Sequence, residues 1–159
     1  MKPKLAYLGI YAAIAIILGY VESLVPVFPG IPGIKLGLAN LAVLYILKKY
    51  SFREAALVSL VRILVIGFLF GSLSGILYSL AGAAFSLLVM TLLLSHTSLS
   101  LVTVSVCGGV AHNVAQMVIA WLLLRSTAFF YYLPALLVSG VVTGILIGLL
   151  TQEISKRLP

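Results

Sequence analysis

Long apolar runs, separated by short polar or Pro/Gly-rich breaks, fill the sequence from end to end. The runs are apolar on every face and lack the strict alternation of membrane β-barrel strands. Because a helix needs roughly 20 residues to cross a bilayer, the pattern predicts six transmembrane helices. The predicted spans, to within a few residues, are Leu5–Leu24, Leu36–Leu47, Ala55–Phe70, Ile76–Leu94, Leu99–Leu124 and Leu133–Leu150.

The first span is flanked by a Pro/Gly-rich segment on one side and by two lysines on the other. Residues 25–33 read VPVFPGIPG, and proline and glycine at this density predict a non-helical connection. Lys2 and Lys4 before an apolar run also fit a signal peptide. The run from Leu5 to Val21 is longer than the usual signal core, and no small-x-small cleavage site follows it. We therefore expect a retained first helix.

The composition agrees with a membrane protein. Hydrophobic residues make up 63% of the chain and charged residues 8%, with a mean hydropathy of +1.27. Soluble domains carry roughly a quarter charged residues, and a soluble fold of this size could not bury so much apolar surface. In a lipid bilayer only the backbone needs internal hydrogen bonds, which helices supply. We expect an all-α membrane protein with one transmembrane domain, residues 1–159.

The basic residues indicate an orientation. The net charge of +7 does not indicate nucleic-acid binding, because the basic residues stand at the ends of apolar runs and form no stripe with aromatic residues. With six spans, both termini share the side that carries Lys2, Lys4, Lys48, Lys49, Arg53, Lys156 and Arg157. The opposite side has only Lys35 and Arg125. Positive residues favour the cytoplasmic side, so we expect a multi-pass plasma-membrane protein with both termini in the cytoplasm.

Several polar side chains fall at bilayer depth, where they are costly and usually face an interior or a cavity. Arg62 lies near the middle of the third span, and His112, Asn113 and Gln116 lie near the middle of the fifth. Glu22, Lys35, Asn40 and Arg125 stand nearer the outer side. Together these residues predict a polar pocket lining that runs from the outer surface to the middle of the membrane. The predicted substrate-binding residues are Glu22, Lys35, Asn40, Arg62, His112, Asn113 and Gln116.

Each of these residues also has a purely structural interpretation. Arg62 reaches the headgroups if its long stem snorkels, and a neutral His112 bonded to a neighbouring helix needs no ligand. Asn113 and Gln116 serve equally well as hydrogen bonds between helices. Glu22 fits an interface anchor, or a partner of Arg125 or Lys35.

Small residues form a second pattern, which lets helix backbones approach closely. Gly140, Gly144 and Gly148 recur every four residues in the sixth span, and Ser79, Gly82 and Ser86 form a similar stripe in the fourth. Packing inside the bundle is expected for both. The first span carries two pairs that are candidates for docking a separate membrane protein, namely Gly9 with Ala13 and Ala15 with Gly19.

The order of these motifs resembles a known family. The matching segments are residues 22–26 (ESLVP), 33–40 (GIKLGLAN), Arg62, 78–82 (YSLAG), 108–116 (GGVAHNVAQ), 132–134 (YLP) and 139–144 (SGVVTG). They span nearly the whole chain and resemble the Gx transporter family, whose members are often labelled heptaprenyl diphosphate synthase component I. The Lys-x-Gly-x-x-Asn and His-Asn-x-x-Gln segments are the most specific parts.

That family is similar to the S components of energy-coupling factor (ECF) transporters. The resemblance implies a six-helix bundle that binds a metabolite from outside, under a loop that follows the first helix. It also implies partners, namely a transmembrane coupling subunit and two ATPases. S components meet that subunit through small residues of the first helix, where this chain has the Gly9 and Ala15 pairs in place of the usual Ala-x-x-x-Ala.

Three functions remain open. The first is capture of a flavin-, quinone-precursor- or isoprenoid-related metabolite by an S-component-like subunit. The second is a non-catalytic membrane subunit of a prenyl diphosphate synthase; catalysis by this chain alone is not expected, because the reaction needs clustered aspartates for Mg²⁺ and the sequence has none. The third is a proton-coupled carrier that titrates His112. The lone Cys107 excludes a disulfide within the chain, and no cofactor or metal is expected.

Overall fold

The computed structural model describes residues 2–24 and 37–157, except for the side chains of residues 2–4 and 127–129. Within these residues helices joined by short connections make up the chain, and no strand forms. The helices are α1 (Lys2–Leu24), α2 (Leu38–Lys49), α3 (Phe52–Phe70), α4 (Leu73–His96), α5 (Leu101–Leu124), a 3₁₀ helix (Thr127–Tyr132) and α6 (Leu133–Arg157). The predicted all-α fold with six α-helices is confirmed. The Pro/Gly-rich connection and Lys35 lie outside the described residues.

Four segments are long and apolar enough to cross a membrane, namely Leu5–Leu24, Leu73–His96, Leu101–Leu124 and Phe130–Arg157. α2 has 12 residues, which rise only about 18 Å against a hydrocarbon thickness of about 30 Å. α3 has 19 residues but includes Arg53, Glu54 and Arg62. The crossing of the membrane by α2 and α3, and hence the count of six spans, stays a prediction.

The short helix α2 lies at the centre of the bundle. Its residues from Ala42 to Leu47 are all buried, and Leu44 and Ile46 are among the largest fully buried side chains of the described chain. α2 packs against α1, α3 and α6. Gly37, which immediately precedes α2, lies near Ile147. Ile147 stands more than two turns from either end of α6. α2 therefore begins inside the bundle, at about the mid-length of its neighbour.

Glycines set the distance between α5 and α6, which share the most extensive helix contact. A Cβ atom added to Gly140 would lie 3.1 Å from the Gly109 carbonyl oxygen, and one added to Gly144 would lie 2.6 Å from the Val106 Cα atom. Gly148 approaches the Val102 backbone equally closely. These are backbone-to-backbone contacts, so the predicted internal packing of the α6 stripe is confirmed.

Neighbouring helices in the chain run antiparallel, and this arrangement collects the basic residues at one end. Gly148 of α6 meets Val102 near the start of α5, and Gly67 of α3 meets Ile76 near the start of α4. One end of the bundle is formed by the last turns of α2 and α6 and the first turn of α3. Its described basic residues are Lys48, Lys49, Arg53, Lys156 and Arg157. At the opposite end the last turn of α1 meets the last turn of α3, where the rings of Tyr20 and Phe70 lie 4.7 Å apart. The charge separation along the bundle matches the predicted orientation, which itself stays a prediction.

Candidate functional site

Arg62 points into the bundle from the middle of α3. Its Nη2 atom donates a long hydrogen bond of 3.5 Å to Asn40 Oδ1 in the first turn of α2. Its Nε atom is buried and has no hydrogen-bond partner among the described residues. A guanidinium carries five N–H donors, and the described residues accept a hydrogen bond from one of them, at Nη2.

Glu22 holds the beginning of α2. Gly37 adopts a left-handed conformation with φ of 73°, which glycine reaches without steric cost. Its amide N–H donates to Glu22 Oε1 at 2.5 Å, and the amide of Asn40 donates to the Gly37 carbonyl oxygen at 2.8 Å. A carboxylate at a helix N-terminus is favoured by the helix dipole. The same carboxylate stabilises the Arg62 charge electrostatically.

The two charged groups line one cavity, which we call the Arg62 cavity. It lies between α1, α3 and α4 and has a volume of about 240 Å³. Its lining residues are Gly19, Glu22, Ser23, Arg62, Ile63, Ile66, Gly67, Phe70, Gly71, Gly75, Ile76 and Ser79. The side chains of Arg62 and Glu22 thus lie in a cavity lined largely by glycine and isoleucine. The cavity lies toward the end of the bundle opposite the basic residues, which is the predicted outer side.

Asn40 links this cavity to a second, much smaller one. The second cavity holds about 30 Å³ and is lined by Gly37, Asn40, Leu44, Ser86, Met90, Ser105, Gly109, Thr143, Gly144 and Ile147. A space of this size and polarity accommodates about one water molecule. Ser86 and Ser105 are both buried beside it. The second cavity is too small for a metabolite.

His112 and Gln116 face α4. A Cβ atom added to Gly82 would lie 2.8 Å from His112 Nε2 and 2.9 Å from Gln116 Cγ. The imidazole therefore packs on the bare backbone of Gly82, within the small-residue stripe of α4. Neither residue is part of the lining of the two cavities above.

Asn113 makes a hydrogen bond between helices. Its Nδ2 atom donates to the Leu136 carbonyl oxygen at 2.6 Å, and to Ser139 Oγ at 3.4 Å. The side chain thus joins α5 to α6 through a backbone carbonyl that also accepts a hydrogen bond from Ser139 Oγ at 2.8 Å. This geometry matches the structural interpretation of Asn113.

The predicted site residues therefore fall into three groups. Glu22, Arg62 and Asn40 come together around the N-terminus of α2. His112, Gln116 and Asn113 serve the contacts of α5 with α4 and α6. Lys35 lies outside the described residues.

Two features of the Arg62 cavity were not predicted from the sequence. Phe70 lines its mouth, and Gly67, Gly71 and Gly75 form part of its wall. The three glycines are spaced by four along the chain, which is the same pattern that the small residues of α6 show. Phe70 carries no local signal that separates it from other apolar residues at a helix end.

The four predicted docking residues of α1 divide into two pairs. Gly9 and Ala13 are exposed, and a Cβ atom on Gly9 would meet no atom within 4 Å. Ala15 is fully buried, and Gly19 packs against Ile66 and Arg62. A docking surface on α1 therefore fits Gly9 and Ala13 alone, because the other pair is used inside the bundle.

The described residues contain no group of three His, Cys, Asp or Glu side chains that could hold a metal ion. Searches of curated proteins and of solved structures found no match to the chain. A family model described as heptaprenyl diphosphate synthase component I matches residues 11–154, most of the sequence. The match confirms the family label suggested by the sequence motifs: the chain belongs to the heptaprenyl diphosphate synthase component I family.

Proposed function

We propose that this chain is a non-catalytic membrane subunit that captures a small metabolite in the Arg62 cavity. In this respect it acts as the S components of ECF transporters do. The ligand enters from the predicted outer side. Flavin-, quinone-precursor- and isoprenoid-related molecules are the candidate ligands.

The observation that carries the proposal is the unused hydrogen-bonding capacity of Arg62. Charged groups at membrane depth are costly and are retained chiefly where they act on substrates or ions. Here a single long bond to Asn40 and the charge of Glu22 are the described compensation. The remaining donors adjoin a cavity large enough for a guest. A ligand acceptor in that cavity completes the coordination of the guanidinium.

The volume limits what the cavity holds. At about 30 Å³ per water in the liquid, about 240 Å³ corresponds to roughly eight waters. Pockets for drug-sized ligands run from roughly 300 to 1,000 Å³. The Arg62 cavity thus accommodates a small molecule or the head group of a larger one. Any ring system or tail beyond that head group extends past Phe70 and Ser23.

The absence of catalysis follows from the acidic residues. The sequence contains no aspartate, and its three acidic residues, Glu22, Glu54 and Glu153, lie on three different helices. Prenyl transfer needs carboxylates clustered around Mg²⁺. Chemistry therefore belongs to a partner component, or transport belongs to a coupling subunit with ATPases. The exposed Gly9 and Ala13 of α1 suit a close helix contact with either partner.

An apolar groove favours a second candidate function, that of a subunit that holds the prenyl substrate of a synthase. The groove lies between α4 and α5 and has a volume of about 460 Å³. It is lined by Ala81, Ala84, Phe85, Leu88, Val114, Ala115, Val118 and Ile119, all of which are apolar. An isoprenoid chain matches such a surface, and the family description names a prenyl diphosphate synthase.

The proposed binding function is tested by first identifying the ligand and then measuring its affinity for variants of the cavity. The protein is purified in lipid nanodiscs, and co-purifying small molecules are identified by mass spectrometry. The compounds found, and commercial flavin, quinone-precursor and isoprenoid analogues, are then titrated in thermal-shift and equilibrium-binding assays. Arg62→Gln is compared with Arg53→Gln, which removes an exposed arginine at the start of the same helix.

We expect Arg62→Gln to weaken binding by roughly 10- to 100-fold, since a hydrogen bond to a charged group is worth about 1.5–3 kcal/mol. Arg53→Gln is expected to bind as the wild type does. Equal affinities in both variants would remove the proposed site. Loss of binding on Phe85→Asp with no effect of Arg62→Gln would select the groove and the synthase subunit. Flux into liposomes without ATPases would instead establish a secondary carrier.

A further inference from the structure

We propose that the ligand group held in the Arg62 cavity carries no net charge and presents a hydrogen-bond donor beside an acceptor, as a cyclic amide or ureide does. The inference rests on the proposed function, because it takes this cavity to be the binding site. It narrows the ligand class through the charges and donors that surround the cavity.

The charge balance of the lining is the first step. Arg62 and Glu22 are the only ionisable residues among those that line the cavity, so the described lining sums to zero. The lining contains one positive and one negative side chain, in a surrounding of glycine and isoleucine where the effective dielectric constant is low. Among the described lining residues, no second positive charge balances a diphosphate or a carboxylate. A neutral guest leaves the balance unchanged.

The donors and acceptors of the two side chains are the second step. A guanidinium only donates, and an ionised carboxylate only accepts. Arg62 lines the cavity, and the described residues accept only one long hydrogen bond from its guanidinium, at Nη2. Glu22 accepts the Gly37 amide at Oε1, and a carboxylate offers further acceptor sites on its second oxygen. The guest therefore needs an acceptor for Arg62 and a donor for Glu22.

The shape of the lining is the third step. Gly19, Gly67, Gly71 and Gly75 present backbone without side chains, and Phe70 contributes a ring at the mouth. A flat group can stack on the Phe70 ring, which a tetrahedral phosphate cannot do. A planar amide edge places its donor and acceptor within one plane. It fits between a carboxylate and a guanidinium, both of which are also planar.

The experiment uses four small probes and measures their binding to the full-length protein in nanodiscs. Uracil and 2-pyridone offer adjacent donors and acceptors without charge, whereas benzoate and inorganic diphosphate are anions. The variants are Glu22→Gln and Arg62→Gln, with Glu153→Gln as the matched control at an exposed glutamate of α6. Glu22→Gln keeps an oxygen that accepts the Gly37 amide, and its unfolding temperature is measured beside the wild type to check that the fold is retained.

The sign of the Glu22→Gln effect separates the two ligand classes. We expect the neutral probes to bind the wild type and to lose about tenfold in affinity in Glu22→Gln, since a charge-assisted hydrogen bond is about twice as strong as a neutral one. Arg62→Gln is expected to weaken them similarly, and Glu153→Gln not at all. If an anion is the true ligand, Glu22→Gln removes a repulsion and tightens its binding.

The outcomes distinguish this inference from the proposed function. Tighter binding of benzoate or diphosphate in Glu22→Gln, or an anionic compound as the co-purifying ligand, overturns the neutral-ligand inference and leaves the binding function standing. A neutral probe whose affinity is the same in all variants also overturns the inference. Failure of every probe, together with no co-purifying compound, removes the proposed function itself.

Discussion

At the scale of single residues, Arg62 and Asn113 show how one prediction from sequence divides into two roles. Both are polar side chains near the middle of long apolar helices. Asn113 finds a backbone acceptor at 2.6 Å on α6, whereas Arg62 has only a 3.5 Å bond to Asn40. Asn113 therefore joins two helices, whereas Arg62 keeps donors that a ligand can use.

Substitutions of the Arg62–Glu22 pair test this assignment. Removing one of two opposite charges that line the same cavity leaves the other less compensated and costs on the order of 1 kcal/mol, whereas replacing both is often neutral or stabilising. We therefore expect Arg62→Met to lower the thermal stability and Arg62→Met/Glu22→Gln to restore it to the wild-type level or above. Ligand binding is expected to stay lost in both. The measurement is the unfolding temperature in detergent with and without ligand, and restored binding in the double variant would contradict the assigned role.

Asn113 gives the complementary prediction. In Asn113→Ala the Leu136 carbonyl loses the donor on α5 and keeps the Ser139 hydroxyl, and interhelical hydrogen bonds in membranes average about 0.6 kcal/mol, with a maximum near 1.7 kcal/mol. We expect a loss of stability in that range and an unchanged ligand affinity. Chemical denaturation and ligand titration of the same preparation check both parts. A loss of affinity beyond about threefold would return Asn113 to the binding site.

At the scale of helices, close backbone contacts carry the packing of α4, α5 and α6. The Gly144 Cα atom lies so near the Val106 backbone that no side chain fits between them. Gly9 on α1 has open space in the same position. The two glycines look alike in the sequence, and the surroundings alone separate them.

Alanine substitutions at these two glycines have opposite expected outcomes. Gly144→Ala forces α5 and α6 apart, and overpacking of this kind costs typically about 1–3 kcal/mol. Gly9→Ala meets nothing and removes a helix-weakening residue, so stability stays equal or rises by up to about 1 kcal/mol. Thermal unfolding of the two variants in the same detergent makes the comparison. Equal unfolding temperatures would mean that α5 and α6 do not pack as described.

The sequence predicts elements better than it predicts which elements meet. Apolar runs and the breaks between them are local properties, so the ends of α1, α3 and α5 were predicted to within about three residues. Gly108, His112 and Gln116 are spaced by four and share the face of α5 that meets α4, but the spacing does not say which neighbour that face meets. The structure turns His112 toward Gly82 and brings Glu22 to Arg62 through α2. The depth at which α2 begins has no local signal, because it depends on contacts with α6.

At the scale of the whole molecule, the basic residues mark one end of the bundle. Lys49, Arg53 and Lys156 stand there, and Ser72 and Arg125 belong to the other end. The positive-inside rule predicts that the first group faces the cytoplasm. With that orientation the Arg62 cavity lies toward the outer side, as the proposed capture of an external metabolite requires.

Cysteine labelling tests this orientation. Cys107 is replaced by serine, and single cysteines are introduced as Ser72→Cys and Lys156→Cys at exposed positions near opposite ends. We expect an impermeant maleimide to label Ser72→Cys in intact cells and Lys156→Cys only after the membrane is opened. Labelling of Lys156→Cys in intact cells would reverse the orientation and put the cavity on the cytoplasmic side.

The position of α1 has a mechanical consequence for the binding site. Of the four long apolar segments, Leu5–Leu24 is the least embedded, with 11% of its residues buried, and α1 packs mainly on α2 and α3. Yet it supplies Gly19 and Glu22 to the cavity. The helix with the smallest buried share of these four thus forms one wall of the Arg62 cavity. A tilt of α1 would widen or close the cavity without any change in the close glycine contacts between α5 and α6.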